Sequence, residues 1–282
     1  MDEYLHEVTL GPTAMMTRYC GPEQLCGNWC ILSEEYESAS TMPPAAAMFD
    51  ATIDRKQLIP VVERGGKRIA LVGLFGPLIK GGWHGNAMTS SSLVAEIVKA
   101  LARDPDIDAV ALVVDSPGGT VAGTETLATA VRDTAKVKPV VALVDELAAS
   151  AAYWVASQAT AIYAASNTAR VGSIGVLISV LDSHRAFEAA GLESVVISTG
   201  PLKGLGITGT ELTDIQRQYI QRGVNETANL FKIAVAVGRG ISYSDVDKAA
   251  TGAVFFSGSA LKLKLIDGVK DRSEVLEALA RM

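Results

Sequence analysis

The sequence has little of several features that define other classes of protein. Among its 282 residues there are three histidines and three cysteines, and aromatic residues make up 6%. Lysine and arginine total 25 against 31 acidic residues, which gives a formal net charge of -6. Because no excess of positive charge is present to attract phosphate groups, we do not expect a nucleic-acid partner.

The sequence also has no long uninterrupted apolar run. The most apolar stretch, Pro139 to Ala165, is broken by Asp145, Glu146 and Gln158. A membrane-spanning helix needs about 18 or more consecutive apolar residues, so no span is predicted. The first residues, MDEYLHEV, are acidic and lack the basic region of a secretory signal, so we expect a cytoplasmic protein.

The three cysteines do not form a recognisable metal site. Cys20, Cys26 and Cys30 have five and three residues between them, and no histidine follows closely enough to complete a zinc pattern. We expect reduced thiols without a function, no bound metal and no cofactor.

The pattern of residues changes near residue 60. Residues 1–60 contain clusters of Pro, Ser, Met and Ala without sustained periodicity, and we predict a loosely structured N-terminal extension there. In residues 61–282, buried strands rich in β-branched residues alternate with amphipathic helices. This alternation predicts an α/β fold with a largely parallel sheet. Strands are predicted at 109–115, 140–144, 161–165 and 194–197, and helices at 90–102, 121–134 and 213–237.

The long helix predicted at 213–237 carries apolar residues at helical spacing. Core packing explains them, and the alternative is that one face of the helix serves assembly. These residues are Ile215, Tyr219, Ile220, Leu230, Ile233 and Val237.

Functional sites in such sheets lie at the carboxyl ends of the strands, and three loops there carry polar or glycine residues. In Asp115-Ser-Pro-Gly-Gly119, glycines after a proline present backbone N–H groups that can hold an oxyanion. Ser150 stands among four alanines at the start of an apolar helix, where small neighbours admit a substrate backbone. Lys203 follows the strand predicted at 194–197, and a lysine acts as a base only where burial keeps its amine neutral. Each loop alone is also compatible with a plain turn, an N-cap or a solvated lysine.

Together and in this order, the motifs resemble the signal peptide peptidase A family of serine peptidases. The motifs are Ser-Pro-Gly-Gly-x-Val-Ala-Gly, Ala-Ser-Ala, Val-Gly-Ser-Ile-Gly-Val and Ser-x-Gly-x-x-Lys, and the resemblance covers residues 68–270. Within the family, the phage capsid assembly (prohead) proteases are most similar. The resemblance implies a crotonase-like α/β spiral fold, with residues 61–282 as the peptidase domain.

The resemblance also implies the roles of individual residues. Ser150 would be the nucleophile and Lys203 its general base, forming a Ser-Lys dyad. Ser173 would be the hydroxyl that orients the lysine amine. The oxyanion hole would be formed by the N–H of Gly118 or Gly119 together with that of Ala151.

Two positions depart from the family pattern. Ala151 and Ala152 follow the nucleophile where many cellular members have two glycines, which favours the phage branch. Gly204 stands after the lysine, where the family often has a polar residue. Lys262 and Lys264 lie too close to the C-terminus to replace Lys203.

From the resemblance we also expect partners and a setting. The substrate would be a protein or peptide, with phage scaffold or capsid proteins expected during head maturation. A homo-oligomer is expected because family members form rings. The location would be the host cytoplasm or the prohead, and a cytosolic signal-peptide or quality-control peptidase of the same family is the alternative.

Three other hypotheses remain. A Ser-His-Asp peptidase of the caseinolytic type would have to use His6, His84 or His184, and His184 opens a predicted helix as a surface or capping residue. A crotonase-type acyl-CoA enzyme would share the fold without needing Ser150 or Lys203. A capsid-associated structural protein would retain the fold without activity.

Overall fold

The computed structural model describes residues 59–81 and 88–282, together with the short strand Trp29–Cys30. Most of the extension predicted for 1–60 therefore lies outside the described residues, as do Cys20, Cys26, His6 and His84. The chain divides into two compact units. Within the described part, the smaller unit is Ile178–Gly223 and the larger unit is Asn28–Leu177 with Val224–Met282.

The larger unit contains two sheets. Its strands are β1 (Trp29–Cys30), β2 (Val61–Arg64), β3 (Lys67–Phe75), β4 (Leu78–Ile79), β5 (Thr89–Ser90), β6 (Ala109–Ser116), β7 (Gly119–Thr120), β8 (Val140–Ala149), β9 (Ala161–Ala164), β10 (Arg170–Gly172), β11 (Val254–Phe256) and β12 (Gly268–Val269). The main sheet has the order β11-β10-β8-β6-β3-β2, with β9 pairing β8 and β12. Strands β3, β6, β8, β9 and β10 run parallel to their neighbours among these five, which confirms the predicted α/β fold with a largely parallel sheet. The small sheet has the order β1-β7-β4-β5.

Eight helices occur in the described residues. They are α1 (Ser91–Arg103), α2 (Thr124–Ala135), α3 (Ala151–Ala156), α4 (His184–Ala189), α5 (Asp214–Arg239), α6 (Tyr243–Ala249), α7 (Ser257–Lys262) and α8 (Arg272–Arg281). The helices predicted at 90–102, 121–134 and 213–237 are confirmed within two residues at each end, except that α2 begins three residues later than predicted.

The main sheet is covered on both faces, which explains its continuous apolar strands. Alternate residues of β6 point to opposite sides, as the pleat requires. Leu112 joins the large cluster that includes residues of α1, α2 and α3, while Ala111 joins a smaller cluster that includes Val275 and Leu279 of α8. Both faces are therefore packed, and the strand ends are left as the places where loops gather.

The smaller unit contains α4 and the first part of α5. The strand predicted at 194–197 is wrong: this segment has no regular secondary structure. Val195 and Ile197 are 74% and 97% exposed, and no strand pairing is made by this segment. A run of β-branched residues forms a strand only where a neighbouring strand accepts its hydrogen bonds and packing.

Few residues of helix α5 are buried. Only Phe231 and Val235 are buried among its residues. Five of the six residues for which core packing was expected are 44–66% exposed, and that expectation is wrong for them: Ile215, Tyr219, Leu230, Ile233 and Val237. In the described part of the chain, no helix is both long and apolar enough to cross a membrane.

Candidate active site

Three neighbouring strands of the main sheet end at the predicted site loops. The strands β6, β8 and β10 are adjacent and parallel, with Ser116 opposite Ala148 and Gly172 opposite Ala149. Ser150 is the first residue after β8, and Ser173 is the first residue after β10. The register therefore places these two serines side by side at the carboxyl edge of the sheet, where sites of this fold class form.

Ser150 has an unusual backbone conformation. Its φ is 53° and its ψ is -121°, a combination that costs a non-glycine residue about 1–3 kcal/mol. Two hydrogen bonds hold it: its N–H donates to the carbonyl of Gly172 at 2.8 Å, and its carbonyl accepts from the N–H of Trp154 at 2.9 Å. The strain arises because the chain turns directly from the last residue of β8 into the first residue of α3.

Helix α3 is buried along its whole length. All six of its residues are buried, and Ser150 itself is 1% exposed. The Tyr153 hydroxyl donates to the Leu265 carbonyl at 2.9 Å, and burial raises the pKa of Tyr153 well above its usual value. The Trp154 ring stacks on that of Phe231 with centroids 4.8 Å apart. These contacts fix the helix, and the N–H of Ala151 has no acceptor within its own helix because it lies in the first turn.

Ser173 also has a positive φ, of 50°. Its N–H donates to the carbonyl of Ala253 at 2.7 Å, in the segment just before β11. Gly172, which precedes it, has a φ of 124°, and a Cβ there would lie 2.8 Å from the same carbonyl oxygen. The glycine is therefore required for Ser173 to follow β10 in this conformation.

The glycine loop, Asp115 to Gly119, joins the end of β6 to a strand that contacts α3. Helix α3 contacts β7, which begins at Gly119. Gly118 has a φ of 101°, and its carbonyl accepts from the N–H of Leu78 at 2.7 Å. The N–H of Gly118 donates to Ser116 Oγ at 3.2 Å. The two glycines predicted for the oxyanion hole therefore differ, because the N–H of Gly118 already has an acceptor.

Lys203 lies in the smaller unit. It stands in a series of turns, its side chain is exposed, and its N–H donates to the carbonyl of Gly200 at 3.1 Å. Gly204 has a φ of 108°, and a Cβ there would lie 3.0 Å from Val196 Cγ1. Glycine thus follows the lysine for a backbone reason. The pairing of Lys203 with Ser150 stays a prediction.

The described alternatives to Lys203 occupy other surroundings. His184 begins α4, and its Nε2 lies 3.4 Å from Glu188 Oε1, which fits the predicted surface role. Lys262 ends α7 and is exposed, as is Lys264 two residues later. The backbone carbonyl of Lys264 accepts from Arg239 Nε at 3.1 Å, so this lysine helps to join two segments of the larger unit.

Comparison with protein families identifies the class. The model of Peptidase family S49 matches residues 132–282, more than half of the chain. The chain therefore belongs to Peptidase family S49, which confirms the resemblance to signal peptide peptidase A proteins.

Individual relatives are similar over most of the chain. A Methanocaldococcus jannaschii protein whose name marks it as an inferred protease is 35% identical over 64% of this chain. Capsid assembly protease C of Escherichia phage lambda is 30% identical over 69%, and the head-tail preconnector protein GP5 of Enterobacteria phage P21 is 30% identical over 89%. The chain spans 58%, 44% and 52% of the lengths of these three relatives.

The solved structures that this chain matches include two proteases. A membrane-bound stomatin-specific protease, 1510-N, has a TM-score of 0.47 at 16% identity, with 74% of this chain and 83% of the other covered. ClpP1 of Listeria monocytogenes has a TM-score of 0.45 at 12% identity, with 72% and 92% covered.

One feature of the site was not predicted from the sequence. The sequence motif predicts only a turn at Ser116, but its hydroxyl bonds the backbone of Gly76, after β3, and of Gly118, after β6. The signal was a polar residue at the end of the apolar strand AVALVVD, directly before Pro-Gly-Gly. A serine there is unremarkable until the partners of its hydroxyl are known.

Proposed function

We propose that the protein is a serine endopeptidase in which Ser150 is the nucleophile and Lys203 is the general base. The observation that carries the proposal is the strained conformation of Ser150 at the junction of β8 and α3. Strain of this kind persists where the surroundings enforce it, and it is concentrated at functional sites. Ser173 lies beside it as the supporting hydroxyl.

The proposed reaction has two halves. Neutral Lys203 takes the proton of Ser150 Oγ as the oxygen attacks the peptide carbonyl, and a tetrahedral intermediate forms. The protonated amine then gives that proton to the leaving amine, which leaves an acyl-enzyme on Ser150. Water deprotonated by Lys203 attacks the ester, and the proton returns to Ser150 as the acid product leaves. The charged oxygen of each intermediate accepts hydrogen bonds from Ala151 and the glycine loop.

The exposure of Lys203 sets a requirement for this mechanism. The exposed side chain of Lys203 is in contact with water, whereas a lysine acts as a general base only in a site that excludes water. The base role therefore requires that bound substrate or a second copy of the chain cover the side chain and exclude water. This requirement supports the proposal that the active form is a homo-oligomer.

The small sheet supports a peptide as the substrate. Strand β1 pairs antiparallel with β7, with Cys30 opposite Gly119 and Trp29 opposite Thr120. Strand β7 therefore pairs with an extended segment on the side away from β4, and a substrate peptide that took the place of β1 would add to the sheet in the same way. A crotonase-type enzyme would bind a thioester ligand instead and has no need of this pairing.

The chemistry is tested with a fluorophosphonate probe and a peptide substrate. We expect labelling of the wild type at Ser150 and none in Ser150→Ala. Lys203→Ala should lose at least about 100-fold in kcat, whereas Lys262→Ala, which removes another exposed lysine, should retain wild-type activity. Activity should rise from acid to alkaline pH as the base loses its proton. If the probe labels no residue and no peptide is cleaved, the result favours the inactive structural protein. If Lys203→Ala retains wild-type activity, Lys203 is not the general base.

For the biological role, we propose processing of scaffold or capsid proteins during phage head maturation, in the host cytoplasm or inside the prohead. The names of the lambda and P21 relatives support this setting. The test is mass spectrometry of the protein co-expressed with its genomic neighbours, in wild type and Ser150→Ala. Cleavage of a neighbouring head protein by the wild type alone is expected. Cleavage restricted to host proteins would favour the cytosolic quality-control peptidase.

A further inference from the structure

Ser116 lies at the point where the strand β6 gives way to the glycine loop. Its side chain is fully buried, with 0% exposure. The hydroxyl donates to the carbonyl of Gly76 at 2.6 Å and accepts the N–H of Gly118 at 3.2 Å. One hydroxyl therefore connects the segment that follows β3 with the segment that follows β6.

Two backbone hydrogen bonds connect the same segments. The N–H of Gly76 donates to the carbonyl of Asp115 at 3.0 Å, and the N–H of Leu78 donates to the carbonyl of Gly118 at 2.7 Å. The hydroxyl of Ser116 lies between these two bonds along the chain. The two bonds are made by backbone groups, whereas the hydroxyl of Ser116 belongs to a side chain. This hydroxyl fixes the direction of the Gly118 N–H.

The next residue, Gly119, is placed by the same contacts. A Cβ on Gly119 would lie 1.8 Å from the carbonyl oxygen of Leu78, so the two backbones approach too closely for any side chain. Gly119 also begins β7, where it lies opposite Cys30 of β1 and Leu78 of β4, and β7 contacts α3, the helix that begins after Ser150. Its orientation therefore depends on how the segment from Ser116 to Gly118 is held.

We propose that Ser116 is a positioning residue of the oxyanion hole. Its hydroxyl engages the N–H of Gly118 and thereby assigns the N–H of Gly119, with that of Ala151, to the developing oxyanion. Donors of this kind are effective because they are oriented before the reaction begins, so a small rotation of the loop lowers the rate without blocking substrate binding. This inference rests on the proposed peptidase function.

The kinetic test compares three variants of the full chain. Ser116→Ala removes the hydroxyl, and we expect kcat to fall about 10- to 100-fold while KM changes less than about threefold. Ser116→Thr keeps a hydroxyl at the same position and should recover most of kcat. Ser257→Ala is the matched control, because Ser257 is 1% exposed and its hydroxyl bonds two backbone carbonyls, of Ser166 and Ala169. It should keep the wild-type kcat.

A peptide aldehyde separates positioning from general weakening of the fold. The aldehyde forms a tetrahedral adduct on the nucleophile, so its affinity should fall in Ser116→Ala in proportion to kcat/KM. The affinity of a product peptide should be unchanged. An unchanged kcat in Ser116→Ala, or equal losses for aldehyde and product, would overturn the inference.

Hydrogen exchange keeps the inference testable if the wild type shows no peptidase activity. The amide of Gly118 should be protected in the wild type and in Ser257→Ala, and should exchange at least about tenfold faster in Ser116→Ala. Loss of that protection with no activity in any protein would reject the proposed function but retain the role of Ser116 in the loop. Equal protection of Gly118 in all variants would reject the role itself.

Discussion

At the scale of single residues, the site depends on one serine held in a conformation that serine avoids. The positive φ of Ser150 is enforced by a strand on one side, a buried helix on the other and the carbonyl of Gly172. The residues on either side of it, Ala149 and Ala151, have only methyl side chains. Reactivity and strain therefore come from the same local feature, the direct turn from β8 into α3.

Substitution of Ser150 should separate these two effects. Ser150→Ala and Ser150→Gly should both lose activity by at least about 1,000-fold, because the nucleophile is gone. Ser150→Gly should be more stable than Ser150→Ala by about 1 kcal/mol, because glycine adopts this φ without strain. Urea unfolding of the two variants measures the difference. Equal stability would mean that the backbone relaxes and holds little strain.

The residue identities could be read from the sequence, but the strain and the hydrogen bonds could not. The order of the glycine loop, Ser150, Ser173 and Lys203 is a property of the sequence alone. The hydroxyl of Ser116, which accepts from the N–H of Gly118 two residues later, also donates to the carbonyl of Gly76, forty residues earlier in the chain. No local pattern encodes that contact.

At the scale of secondary-structure elements, the nucleophile helix is anchored by an aromatic pair. The rings of Trp154 and Phe231 stack with an interplanar angle of 9°, and Phe231 is fully buried on α5. Six residues make a helix too short to be stable alone, so α3 depends on such contacts. The position of α3 therefore depends on its contact with α5.

Truncation of the aromatic ring on α5 tests this dependence. Phe231→Ala should lower the free energy of unfolding by about 3–4 kcal/mol, because a buried aromatic is replaced by a cavity. Leu230→Ala, at the neighbouring exposed position, should change it by less than about 0.5 kcal/mol. Denaturant unfolding of both variants measures this contrast. Similar losses in the two would show that the stacked pair does not hold α3.

A second anchor, at the end of α5, is sensitive to pH. Arg239 donates two hydrogen bonds to Asp267, at 2.9 and 2.8 Å, and Asp267 also accepts from the N–H of Ile162 at 2.7 Å. Partial burial alone would raise the pKa of Asp267, but the Arg239 and Ile162 bonds outweigh it and hold the pKa below the ordinary 3.8. The carboxylate therefore stabilises the fold above pH 3.8, and this contribution is lost as the pH falls through the lowered native pKa.

Asp267→Asn should reveal this contribution as a pH-dependent difference. At pH 7 the variant should be about 1–2 kcal/mol less stable than the wild type, because a charged pair becomes a neutral contact. The difference should shrink as the pH is lowered below 3.8, because the carboxyl is protonated first in the unfolded wild type and only at lower pH in the native wild type. Unfolding midpoints measured from about pH 2.5 to pH 7 give this difference as a function of pH. A difference that stays constant with pH would mean that the introduced amide acts sterically and not through the loss of charge.

The strands and helices were largely predictable from the sequence where the spacing of apolar residues agreed with the faces that the structure buries. The strands at 109–115 and 140–144 are apolar on both faces, and the structure covers both faces. The strand at 194–197 was wrongly predicted because β-branched composition alone does not provide a pairing partner. The helix α5 was predicted from its period, but the period does not distinguish a face that packs in the core from one that stays exposed.

At the scale of the whole molecule, the surface retains apolar groups that a monomer has little reason to expose. The mean hydropathy of the chain is +0.26, and in the larger unit α5 exposes several apolar side chains. Leu230, Ile233 and Val237 are 53%, 44% and 66% exposed, and their spacing of three and four places them on one helix face. The buried residues Phe231 and Val235 lie on another face. The helix thus has an apolar stripe beyond the one its own fold uses.

In the proposed homo-oligomer, a second copy of the chain covers this apolar stripe of α5. Wild type should sediment as a species several times the monomer mass of 29.5 kDa. Leu230→Lys combined with Ile233→Lys should shift it toward the monomer, because two charges cannot be buried without partners. Val137→Lys is the matched control, since Val137 is 67% exposed but lies alone in the turn before β8. Its size distribution should equal that of the wild type.

The same variants connect assembly to chemistry. If a second copy covers Lys203, the variant with Leu230→Lys and Ile233→Lys should lose peptidase activity in proportion to the loss of oligomer. The fold around Ser150 should stay intact. Far-UV circular dichroism and the unfolding midpoint show whether the fold is intact. A fully active monomer would mean that substrate alone excludes water from Lys203, and a wild type that sediments as a monomer would remove the oligomer from the proposal. The exposed stripe would then need another partner, because an apolar helix face of this kind is costly to leave in water.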